Sequence, residues 1–191
     1  MPVVPTLVAL LMSWSFMTTA PSTPAHAAMA DTLTVASVPA AHTLHLSDGT
    51  RVRLIGVDVP PLTYGPEMER WALRTSLDPS VLRSRARSAQ AYAADVAEGQ
   101  PVRLVQDRAF RDENHRTPDG ALLAYVIILD DEGNDELMLN AHLLERGFGQ
   151  ARRDEYQEAE AFVRAEEKAR DEGRGFWSRE GTPQRQARPP R

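Results

Sequence analysis

A chain of 191 residues, 42% hydrophobic and 26% charged, has enough apolar surface for one domain of ordinary size and too little length for several. Its formal net charge of −5 excludes a generally basic nucleic-acid binder, so any site for a polyanion must be local. The absence of cysteine excludes disulfide scaffolds, thiolate metal centres and cysteine nucleophiles.

Residues 1–30 contain no Asp, Glu, Lys or Arg and run from an apolar stretch through Val3, Leu7, Leu10, Leu11, Trp14 and Phe16 into a Pro/Ser/Thr/Ala segment. This is the pattern of a secretory signal peptide, with small-x-small cleavage choices after Ala27 or Ala30, and it predicts a secreted, periplasmic or cell-envelope protein. The apolar run is shorter than a membrane span needs, so no span is expected after cleavage; an uncleaved anchor and a start at Met29 are the alternatives. Residues 31–180 then form the domain, and residues 181–191, with Arg185, Arg188, Arg191 and three prolines, read as a disordered basic tail.

Within the domain, alternation predicts strands at Thr32–Val35, Thr43–Leu46 and Arg51–Val57, with Asp48-Gly49 as a hairpin turn. Pro60, Pro61 and Gly65 open a long connection over residues 62–78 with room for a short helix around Glu67–Arg74. Asp78-Pro79-Ser80 starts a helix that ends near Gly99. Strands follow at Val102–Val105 and Leu122–Leu129, separated by a polar loop, Arg108–Gly120. Asn140 is the expected N-cap of a short helix stopping at Gly147, and an amphipathic helix is expected over Glu155–Glu172. Five short strands with about three helices predict a mainly β, α+β fold closed as a small barrel.

The run Arg53-Leu54-Ile55-Gly56-Val57-Asp58-Val59-Pro60, then Gly120 with Leu123-Ala124-Tyr125, then Leu139-Asn140, Leu143 and Arg146-Gly147, then Gly175-Phe176-Trp177, resembles the staphylococcal nuclease (thermonuclease) family. The resemblance spans about residues 40–179 and implies a five-stranded oligonucleotide-binding (OB) barrel with added helices, the linker 62–78 being an insertion or a lengthened loop. It also implies a calcium-dependent phosphodiesterase site: oxygen ligands for a hard cation, a carboxylate base, and two phosphate-binding arginines.

Residue by residue, that site is depleted. Arg53 matches the first phosphate-binding arginine and Asp58 a metal-binding aspartate. His42 stands where the other metal-binding aspartate is expected, and neutral imidazole suits a transition metal better than calcium. Pro61 occupies the place of the general base, and Ala121 that of the second arginine. Arg111 and Arg116, in the preceding loop, are candidate substitutes for that arginine, and Glu67 or Glu69 for the base. A purely structural reading also stands, in which Asp58 ends a strand and Arg53 is its ion-pair partner. Trp71 is a candidate exposed aromatic for recognition, whereas Trp177 is expected to seal the last helix against the barrel.

The expectation is thus an exported domain that has lost most of the family's catalytic residues and acts as a binding module for a protein, glycan or nucleic-acid partner, with weak nucleic-acid binding and no cofactor. The alternatives are a calcium- or transition-metal-dependent endonuclease with a rearranged site, and a structural envelope protein.

Overall fold

Val35–Ala40, Thr43–Leu46 and Arg51–Leu54 are the strands β1, β2 and β3 of an antiparallel meander; burial alternates along β2 and β3, whereas β1 pairs with β2 through two register shifts. The computed structural model describes residues 33–109 and 115–178; the expected signal peptide, Arg111 and the expected basic tail lie outside the described residues. At the β2–β3 hairpin the Asp48 carboxylate accepts the Thr50 N–H at 2.8 Å, and Gly49 takes φ +85°.

The expected strand Arg51–Val57 is broken. The chain turns at Ile55-Gly56 before a two-residue strand β4, Val57–Asp58. A Cβ on Gly56, at φ +74°, would stand 2.6 Å from the Phe162 ring, so the turn exists to let a later helix pack over it.

Helix α1, Pro66–Thr75, fills most of the linker, and helix α2, Pro79–Ala97, is capped by Asp78, which accepts the Ser80 N–H at 2.8 Å. Strands β5 (Val102–Val105) and β6 (Leu122–Leu129) are antiparallel, while β6 runs parallel to β3, giving the order β1-β2-β3-β6-β5. Strand β1 begins at Val35 because the residues before it serve another partner. The Val102 N–H donates to Leu33 O at 2.8 Å and Thr34 bridges Pro101, which brings the end of the path back to its start. Strand β6 has neighbours on both edges, since β7 (Asp135–Met138) also pairs with it, and this accounts for its apolar run.

Helix α3 is Leu139–Glu145, and a second short ladder joins β4 to β8, Gln150–Ala151. Helix α4 is Ala159–Asp171, followed by a 3-10 turn at Gly175–Trp177. There are thus four α-helices among the described residues rather than three. The α4 start falls four residues later than expected because buried Asp107 accepts the Gln157 N–H at 2.7 Å and the Tyr125 hydroxyl, holding that segment out of the helix. Burial raises the Asp107 pKa, but these bonds and the Ala109 N–H outweigh it and hold the carboxyl below its ordinary range.

Two further expectations are corrected. Asn140 is not a cap, since Met138 holds that position; Asn140 is fully buried and bonds across the core. Trp71 is not exposed for recognition: at 3% exposure it packs with Met68 and Leu82, clamping α1 onto α2. Trp177 does pack against the main core. No helix among the described residues is long and apolar enough to cross a membrane.

Candidate functional site

The site is assembled by three short pairings. The β2–β3–β6 ladder fixes Arg53 opposite Thr43 on one side and Leu123 on the other. The β4–β8 ladder sets Asp58 opposite Gln150, and the next residue beyond β8, Arg152, donates its N–H to Gly56 O at 2.9 Å. Arg152 is thereby carried to the segment that follows Arg53. The turn before β6 supplies Arg116, which bridges Leu122 and donates to Gly120 O at 2.8 Å.

These elements enclose a cleft of about 400 Å³ lined by Arg53, Arg116, Asp119, Arg152, Asp154 and Tyr156, among others. A second compartment of about 320 Å³ adjoins it, lined by Asp58, Arg74, Arg152, Arg153 and Asp154. Arg152 and Asp154 belong to both walls and are ion-paired at 2.6 Å. Guanidiniums outnumber carboxylates in both compartments, on a chain whose total charge is negative. The two compartments thus carry a local excess of positive charge.

Asp58 is engaged on both oxygens. Arg53 lies 3.9 Å from Oδ1, and Arg74, from the last turn of α1, lies 3.2 Å from Oδ2. The expected Arg53–Asp58 ion pair is therefore present. Burial is the main cause that holds the Arg53 pKa below the ordinary arginine value, opposed by the charges of Asp58 and Glu67. The guanidinium remains charged.

His42, in the β1–β2 turn, accepts the Leu54 N–H through its backbone carbonyl at 2.9 Å, and its Nδ1 is buried without a hydrogen-bond partner. Burial first, and the charge of Arg53 second, lower its pKa to about 3, so it is neutral in the folded protein. An unfolded chain takes up that proton near the ordinary histidine value of 6.5. Between these values the unfolded state binds more protons, so stability falls as pH drops through the window. By pH 5 this single group costs about 2 kcal/mol. Urea unfolding of the wild type and His42→Gln at about pH 7 and pH 5 should show the wild type losing that much more. Parallel losses in the two proteins would contradict it.

The donor set does not fit calcium. Asp58 is charge-balanced by two guanidiniums, His42 offers a neutral nitrogen beside a cation, and Pro61 offers no side-chain donor. No group of three or more His, Cys, Asp or Glu residues with metal-binding geometry occurs among the described residues. Ala121 is buried at 3% exposure and adds no charge to the cleft, whereas Arg116 reaches it from the other side of the same turn.

Of the candidates, the structure brings Arg53 and Arg116 to one cleft, joins Arg53 to Asp58, and sets His42 within the field of Arg53; Arg111 lies outside the described residues. Sequence reasoning missed Arg74, Arg152 and Arg153. The adjacent pair Arg152-Arg153, just beyond Gly147 and Gly149, was the one available signal for the latter two.

No curated protein matches the chain. A family model described as staphylococcal nuclease homologue matches residues 51–179, a stretch that holds Arg53, Asp58, Pro61 and Ala121 but not His42. That match takes in well over half of the sequence and agrees with the mixed α+β architecture, so the chain belongs to the staphylococcal nuclease homologue family.

Proposed function

We propose that this protein is a non-catalytic member of its family that binds a phosphodiester ligand, single-stranded nucleic acid, in the arginine-lined cleft without cleaving it. The observation that carries this reading is the state of the cleft's carboxylates. Asp58 is held by Arg53 and Arg74, Asp154 by Arg152, and Asp119 by Arg51 at 3.4 Å. A general base must have an oxygen free to face the attacking water, and each of these carboxylates is already turned onto a guanidinium. Hydrogen bonding to Thr117, before the charges of Arg51 and Arg53, holds Asp119 below its ordinary range. Phosphate contacts survive because Arg53, Arg116 and Arg152 share one wall.

A nucleic-acid partner is favoured over a protein or glycan because planar forks in excess of acids match successive phosphates. Binding is weak, given the acidic whole, and needs no cofactor. The charge-free apolar opening segment supports export, with the mature domain acting outside the cytoplasm or in the envelope.

A second reading, a rearranged phosphodiesterase, is favoured by one observation. The charge of Glu67, at the start of α1, acts on Arg53, and Glu67 forms no ion pair with a described residue. Labelled DNA and RNA incubated with calcium, manganese, zinc or a chelator separate the two. The expected result is no cleavage above the blank, with binding of single strands that weakens about tenfold between about 50 and 200 mM salt. Metal-dependent turnover that disappears in Arg53→Ala and falls at least about 100-fold in Glu67→Gln would establish the enzyme instead.

A further inference from the structure

We propose that Arg74 takes the place of a divalent cation at this site: its guanidinium is the fixed positive charge on Asp58, and the compartment beside it receives a phosphate group with no metal. The inference rests on the binding function proposed above and concerns only how the charge is supplied.

Three observations carry it. The first is position. Arg74 Nη2 lies 3.2 Å from Asp58 Oδ2, while Arg53 faces Oδ1, so a cation approaching Asp58 meets a like charge already in place. The second is rigidity. The Arg74 guanidinium lies over the Trp71 ring, 4.2 Å from its centroid, and Trp71 is itself buried against Met68 and Leu82. A stacked guanidinium on a ring clamped between two helices is a positioned charge, unlike a free surface arginine.

The third is access. Arg74 and Asp58 line the second compartment together with Arg152 and Arg153, and that space opens beside the Arg53 cleft across Arg152. The bond to Asp58 uses Nη2, and a guanidinium carries five N–H donors, so donors remain for an anion in that compartment. Two phosphates of one strand then fall to two neighbouring compartments, one headed by Arg53 and the other by Arg74.

Anisotropy of a fluorescent oligothymidylate with the full chain, in chelator and in calcium, tests this. Wild-type affinity should agree within about twofold in the two buffers, and Arg74→Ala should lose about tenfold, as expected for a charge-assisted phosphate contact. Arg74→Lys, which keeps charge but not the fork, should lose about threefold. Asp58→Asn should bind about threefold tighter, because it removes a negative charge and releases Arg74, whereas loss of a metal ligand would weaken binding.

Loss of wild-type binding in chelator, or weakened binding by Asp58→Asn, overturns the inference and leaves the binding function standing. Unchanged binding by Arg74→Ala with an intact melting curve also overturns it. A wild type that binds no oligothymidylate in either buffer removes the function on which the inference rests.

Discussion

Gly147→Ala is expected to destabilise the protein by about 3–5 kcal/mol, a fall of roughly 8–15 °C in the midpoint of thermal unfolding followed by circular dichroism. Two causes act together at this position. Gly147 has φ +75°, where a side chain strains the backbone. A Cβ there would also stand 2.4 Å from the Arg174 carbonyl oxygen and 2.8 Å from its carbon. Both are backbone atoms, so no rotamer change relieves the clash.

The contact is reciprocal. A Cβ on Gly175 would stand 2.6 Å from the carbonyl oxygens of Arg146 and Gly147, and the Phe176 N–H donates to Gly147 O at 2.9 Å. The end of α3 and the 3-10 turn thus cross backbone to backbone, seating Phe176 in the core. Gly49→Ala is the control, because φ is +85° there but nothing lies within 4 Å of the new Cβ. Its cost should be the strain alone, about 1 kcal/mol. Equal losses at the two sites would mean that the crossing segments move apart freely.

Asn140→Ala is expected to cost a further amount of the same order, about 3–5 kcal/mol, by urea unfolding. The Asn140 side-chain oxygen accepts the Val126 N–H at 2.9 Å, and its amide donates to Ile55 O at 2.9 Å and Ala124 O at 3.3 Å. Truncation leaves the Val126 N–H and the Ile55 carbonyl without this buried partner, while Ala124 O keeps the Ile55 N–H at 3.1 Å. Asn140→Leu, which fills most of the volume, should recover little, since the orphaned groups are the same. Full recovery by leucine would reduce the role of Asn140 to space filling. The clasp also has a functional side. Ile55 lies two residues after Arg53 and Ala124 follows Leu123, so the bond ties together the two chain segments that wall the arginine cleft. Any Asn140 variant that still folds should bind oligothymidylate less tightly than wild type.

On the binding function proposed above, the site is a family cleft that keeps its phosphate-holding arginines and lacks a water-activating base. Pro61, directly after the Arg53–Pro60 run, and Ala121, directly after Gly120, stand where the resemblance expects a base and an arginine. Of the other arginines at the site, only Arg116 was legible as a candidate. Arg116 enters from four residues before Gly120, Arg152 from the far end of β8, and Arg74 from a helix in the linker.

Local signals determined the elements. The Asp78-Pro79 cap set α2, the Asp48-Gly49 turn set the first hairpin, and the apolar run set β6, because each depends on forces acting within a few residues. The ordered motif residues likewise determined the family.

Tertiary structure alone decided the rest. It broke the third strand at Gly56 to seat Phe162, buried Asn140 as a clasp and turned Trp71 inward. It also brought Arg53, Asp58, Arg74 and Arg152 to adjoining walls. These outcomes depend on contacts between residues far apart in the chain, where free energy is set by packing and by the field of neighbouring charges. A linear pattern carries no term for either.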